Sequence, residues 1–175
     1  VVILHACRAG PDYLSCVAQH VLTLFPDADQ YLPQLPCHLF SRADPEEIAQ
    51  KQLRAIDQIW KDKEGGYTSI TFVGHSIGGL LARRIFLLKA AQEASSEKSQ
   101  GRLFWAGKVD RIVLLAGMNR GWSAGHHLSL ASYVQWKSGT GIAAMLGPIG
   151  KEPFLIMAIR RGAPFITRLR VEWIQ

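Results

Sequence analysis

Residues 69–80 read Ser69-Ile70-Thr71-Phe72-Val73-Gly74-His75-Ser76-Ile77-Gly78-Gly79-Leu80, and this stretch decides the fold. A short β-branched apolar run ends in Gly-His-Ser-Ile-Gly, and an apolar helix-forming run, Leu80 onward, follows at once. The pattern predicts strand, sharp turn and helix, with Ser76 at the apex. A serine on so tight a turn sits in strained backbone, and side chains two residues before and after it would collide with it. Gly74 and Gly78 remove those side chains, and Gly79 lets the new helix pack closely. Ser76 is then a candidate nucleophile lifted above the strand end. The Ile77 amide, at the helix N-terminus, is a candidate oxyanion donor aimed at the same space. The bland alternative is a Gly-rich β–α turn whose serine is incidental.

Outward from this turn, the alternation continues in both directions. Residues 1–5 form an apolar run of the kind that parallel sheets bury. A loop through Ala6-Cys7-Arg8-Ala9-Gly10 follows, and Pro11-Asp12 opens a helix to about Leu24, with Tyr13, Leu14, Val17, His20, Val21 and Leu24 as its expected apolar face. Pro33 and Pro36 leave room in residues 30–40 only for a short, interrupted or edge strand. Asp44-Pro45-Glu46-Glu47 is a helix start, with an N-cap, a first-turn proline and acids against the dipole. Glu64-Gly65-Gly66 ends that helix. Beyond the helix after Ser76, residues 94–107 read as a surface excursion, and residues 110–117 as another buried strand ending in a Gly loop. Three strands alternating with helices predict an α/β fold, a mostly parallel sheet with helices on both faces.

From Met118 the pattern changes. Residues 1–121 read as the α/β core, and residues 122–175 as an insertion of short helices, lid-like or cap-like, over one end of the sheet. Phe154, Leu155, Met157, Ala158, Phe165, Ile166 and Leu169 are expected to line an acyl-sized groove, meet an interface or form plain core.

Composition narrows the function classes. Of 175 residues, 48% are apolar, and 20 Lys and Arg against 14 acids give a net charge of +6. The basic surplus is spread along the chain without a nucleic-acid-binding motif, so a solvated basic face is expected and nucleic acid is not an expected partner. No apolar run is long enough to span a membrane. Cys7, Cys16 and Cys37 lack paired spacing, which points away from a disulfide framework or zinc site and toward a reducing, cytoplasmic setting. Cys7 reads as a small apolar residue at a strand end rather than a nucleophile.

The elbow, the strand ending in His5-Ala6 and the segment Leu114-Leu115-Ala116-Gly117-Met118-Asn119-Arg120-Gly121-Trp122 together resemble the α/β-hydrolase superfamily on its lipase and esterase side. The resemblance spans most of residues 1–122, and the elbow is its specific part. It implies that His5 is the structural histidine of the oxyanion loop and that the Cys7 amide is the second oxyanion donor. Ala6 stands where the family usually has glycine and keeps Ala6 itself as an alternative donor. It also implies an acid and a histidine on later strands. Asp110 begins a strand and so lies at the wrong edge, His75 is expected to pack, and His126 and His127 read as a surface pair or lid histidines. The chain is therefore expected to end before the strands bearing the acid and the histidine, and to turn over poorly as an isolated 175-residue chain.

The expected activity is serine hydrolysis of carboxylic esters, lipid-like by analogy, with no metal or organic cofactor. Acyl transfer and thioester or amide hydrolysis use the same elbow. A rival reading is a non-catalytic hydrolase-like domain that binds a membrane surface or partner through its basic, apolar C-terminal half, which makes peripheral membrane contact an expectation to test.

Overall fold

A computed structural model describes residues 1–38, 41–95, 104–123 and 154–175. Three parallel strands form one sheet in the order β1 (Val2–Leu4), β2 (Ile70–His75), β3 (Val109–Leu115). Leu4 is in register with Gly74, which in turn faces Leu114, so all three strands end at one edge. Tyr31 adds a single parallel bridge beyond Val2. Ile3 N–H donates to Tyr31 O at 2.9 Å, and Tyr31 N–H donates to Val1 O at 2.9 Å. The proline-broken segment thus supplies one edge residue, as its prolines require.

Alternate strand residues face opposite ways, and the two faces bury different partners. Val2, Leu4, Ile70 and Phe72 pack with Leu53 and Ile56 of helix α2 (Pro45–Asp62) and with Leu81 and Ile85 of helix α3 (Ile77–Ala94). Ile3 and Val73 pack on the other face with Leu14 and Ala18. Helices therefore cover both faces, as the alternating pattern predicts.

The first helix corrects the expected face. A 3-10 turn over Pro11–Leu14 leads into α1 (Ser15–Leu24), and the inward stripe is Leu14, Val17, Ala18 and Val21. Tyr13 and Leu24, assigned to the apolar face by spacing, are 61% and 59% exposed. Tyr13 lies in the 3-10 turn, whose tighter winding shifts its phase from the later stripe, and Leu24 is the last residue of α1. By contrast α2 starts as read: Asp44 caps it by accepting the Glu46 N–H at 2.8 Å. It stops before Gly65 and Gly66, both at positive φ.

Two further expectations change. Trp105, placed in a surface excursion, is fully buried, and its indole N–H donates to Asp57 Oδ1 at 2.7 Å. An indole with a carboxylate partner can be sunk into a core that its polar neighbours in sequence do not reveal. Strand β3, expected to be buried, is the last strand of the sheet among the described residues, with Asp110 and Val113 exposed.

Of residues 122–175, the described part packs into the same core. Helix α4 (Leu155–Ala158) and helix α5 (Pro164–Ile174) contribute Leu155, Phe165, Ile166 and Leu169 to the cluster around α3. Of the three roles expected for the seven apolar side chains, these four take the core, while Ala158 and Phe165 also line a cavity of about 370 Å³ beside the start of α2. Trp122 fastens the segment after β3 to this unit: its backbone N–H donates to Ile159 O at 3.2 Å, and its indole donates to Ile156 O at 2.6 Å. No described helix is long and apolar enough to cross a membrane.

Candidate active site

Ser76 joins β2 to α3 with φ 56° and ψ −116°. A non-glycine residue at positive φ stores strain, and it persists only where its surroundings over-determine it. Those surroundings are visible. Ser76 N–H donates to Leu115 O at the end of β3 at 3.0 Å, and Gly79 N–H donates back to Ser76 O at 3.1 Å. The serine side chain is half-buried, and its hydroxyl has no hydrogen-bond partner among the described residues.

The glycines work differently from the simple collision with serine. A Cβ on Gly74 would lie 2.5 Å from the Gly78 and Gly79 backbone, and one on Gly78 would lie 2.1 Å from the Leu4 carbonyl oxygen. The first turn of α3 is therefore pressed between the ends of β1 and β2, and it is this contact that requires glycine at both positions. Gly79 is less restricted. Its Cβ would meet the Leu114 Cδ2 methyl at 3.0 Å, a side chain that can move. Gly79 does admit close packing as expected, against β3.

The loop after β1 leaves the sheet beside this turn. Ala9 N–H donates to Ala6 O at 3.2 Å, and Arg8 has φ 65°. A residue at positive φ in the third place of a four-residue turn marks a type II-like turn. Cys7 occupies its second place, and its amide has no hydrogen-bond partner among the described residues. Ile77, the first residue of α3, likewise has an amide with no partner inside the helix. Sequence reading did not anticipate the strain at Arg8, since nothing in Arg-Ala-Gly distinguishes which residue turns left-handed.

His5 holds that loop. It is 1% exposed. Leu35 N–H donates to its Nε2 at 2.9 Å, so Nε2 carries no proton, and Nδ1–H donates to Ala6 O at 2.8 Å. The ring is therefore neutral and fixed in one tautomer, a structural role. Cys7 Sγ–H donates to Cys37 O at 3.2 Å. Burial raises the pKa of both thiols, and for Cys37, with Cys7 adding its own charge, to about 12. Cys7 is accordingly a poor thiolate source, in keeping with its reading as a small apolar residue.

The other candidate bases separate clearly. His75 stacks on Tyr13, with ring centroids 5.4 Å apart and planes 14° from parallel. Its Nδ1 is buried without a hydrogen-bond partner among the described residues. Asp110 sits at the start of β3, opposite to the Ser76 edge, and accepts from Arg111 Nε at 2.5 Å. His126 and His127 lie outside the described residues.

No curated protein and no solved structure matches the chain. Residues 43–117, which take in α2, β2, Ser76, α3 and β3, match the family described as PGAP1-like alpha/beta domain, and over that stretch, with two of the three parallel strands and the helices around them, the chain is similar to the α/β hydrolases.

Proposed function

We propose that the protein is a serine hydrolase of carboxylic esters, with Ser76 as its nucleophile. The observation that carries this reading is the left-handed backbone of Ser76 at a strand–helix apex, held there by a glycine-enforced contact with β1. A serine whose only task was to make a turn would not need that strain, because glycine would relieve it.

In this reading the Ser76 hydroxyl oxygen attacks the ester carbonyl carbon, and the hydroxyl proton passes to a general base. The carbonyl oxygen becomes an oxyanion that accepts from the Ile77 and Cys7 amides. Fixed donors of this kind are each worth about a hundred- to a thousand-fold in rate. The alcohol leaves with a proton, and water then attacks the acyl-enzyme to release the acid and restore Ser76. His5 contributes by holding the Cys7 turn, not by touching substrate. Of the apolar side chains beyond Met118 that suggested a lipid-like ester, Leu155, Phe165, Ile166 and Leu169 are core, so the reading rests on the ester bond itself.

A fluorophosphonate probe applied to the full-length protein tests this. It should label the protein, and Ser76→Ala should abolish the labelling. An unlabelled wild-type protein would reject the nucleophile assignment.

A further inference from the structure

Two arginines stand side by side on α3, and they are treated in opposite ways. Arg84 is buried, with Nε and Nη2 donating to the Glu46 carboxylate at 2.8–3.0 Å, and with Nη1 donating to Glu172. Arg83 is 5% exposed, and its Nε has no acceptor among the described residues. Its one polar contact is a long one, from Nη1 to Asn119 Oδ1 at 3.5 Å. Its guanidinium lies over the Trp173 ring, 4.5 Å from the centroid.

A cavity of about 280 Å³ opens beside it, lined by Arg83 of α3, Ile112 and Leu114 of β3, Asn119 and Arg120 of the following loop, and Arg170, Trp173 and Ile174 of α5. Among the described residues, three guanidinium groups line it and no carboxylate does. Burial, and then the neighbouring charge of Arg170, lower the Arg83 pKa. A guanidinium out of water without a counter-ion is costly, and like charges beside it add to the cost. Arg84, one residue away, shows how this helix satisfies a buried arginine when it can.

We propose that this cavity binds a phosphoryl group, with Arg83, Arg120 and Arg170 as its cationic partners and the Asn119 amide at its rim. The planar five-donor fork of arginine matches phosphate oxygens, often two bonds at a time. Three such groups suit a dianionic phosphate monoester better than a singly charged carboxylate. Arg83 itself is 5% exposed, and low accessibility at that guanidinium strengthens the contact it would make. None of the lining residues belongs to the Ser76 turn, so the site stands whether or not Ser76 is a nucleophile.

Two probes distinguish the source of the phosphoryl group: inorganic phosphate titrated by calorimetry at constant ionic strength, and phosphatidylcholine vesicles with or without phosphatidic acid, followed by sedimentation. Arg120→Gln and Arg170→Gln alter exposed side chains and leave folding intact. Arg168→Gln removes the same charge from the same helix but lies outside the cavity. The expected result is binding in at least one arm, weakened about tenfold by Arg120→Gln and by Arg170→Gln and unchanged by Arg168→Gln. A response to free phosphate assigns a soluble ligand, and one confined to phosphatidic acid assigns a lipid headgroup. Binding in neither arm, or equal weakening by Arg168→Gln, would overturn the proposal.

Discussion

The two flanks of β2 tolerate change differently. On the β1 side, backbone meets backbone: the Gly78 position lies so near the Leu4 carbonyl that a single added carbon would stand 2.1 Å from its oxygen. On the β3 side the neighbours are side chains, Val113 is 36% exposed, and a cavity opens beside Arg83. The contrast teaches where this fold spends its rigidity. The helix turn that carries the strained serine is locked from the β1 side, where backbone meets backbone, while the serine amide is held by Leu115 O of β3. The charged cavity occupies the β3 side, where packing leaves room.

The largest test of that contrast is a pair of glycine substitutions one residue apart. Gly78→Ala should cost about 4 kcal/mol or more, or yield no folded protein, because the obstruction is backbone. Gly79→Ala should cost less than about 1 kcal/mol, since Leu114 can rotate and alanine favours the helix. Urea unfolding measures both, and equal costs would break the comparison.

Next in size is burial. Leu169→Ala, in the core on the α3 side, should lose about 3 kcal/mol, whereas Val113→Ala on the open edge should lose less than about 1 kcal/mol. A comparable loss at Val113 in the same unfolding series would mean that β3 is covered in solution. Smaller again is the Asp44 cap of α2, on the crowded side. Asp44→Ala should lower stability by about 1 kcal/mol, and Asp44→Ser should restore most of it.

The smallest effect is a pH dependence at Asp29, beside the start of β1, where the Val1 amino group donates to its carbonyl oxygen at 2.6 Å. Hydrogen bonds from Lys63 and Tyr67 lower its carboxyl pKa below the ordinary value. A depressed acid stabilises the fold above its unfolded pKa, and that contribution is lost as pH falls through the folded one. The pair is exposed, so the loss below pH 4 should be slight. Comparing the acid limb of stability in wild type and Asp29→Asn should show it.

Much of the fold was legible in the sequence because its signals are local. Asp44-Pro45 announces a helix start with backbone chemistry alone, and Gly65-Gly66 ends it the same way. The strand and helix around Ser76 follow from an apolar run, glycines and a second apolar run. What escaped depends on partners distant in the chain. Trp105 is buried because Asp57 receives its indole N–H. The phase of Tyr13 depends on a 3-10 turn that periodicity averages away. Gly74 and Gly78 were read correctly as obligatory, but the object that Gly78 avoids, Leu4 at the end of β1, is 74 residues away in the chain and invisible to spacing. The contrast between Arg83 and Arg84 is hidden for the same reason: only the fold brings Glu46 and Glu172 to one arginine and leaves the other facing a cavity.

The most direct test of the central claim is to map a fluorophosphonate adduct by peptide mass spectrometry. The account predicts one modified residue, Ser76, in the wild-type protein, with the adduct absent from Ser76→Ala and retained in Ser69→Ala. An adduct on another residue, or one that survives Ser76→Ala, would contradict it.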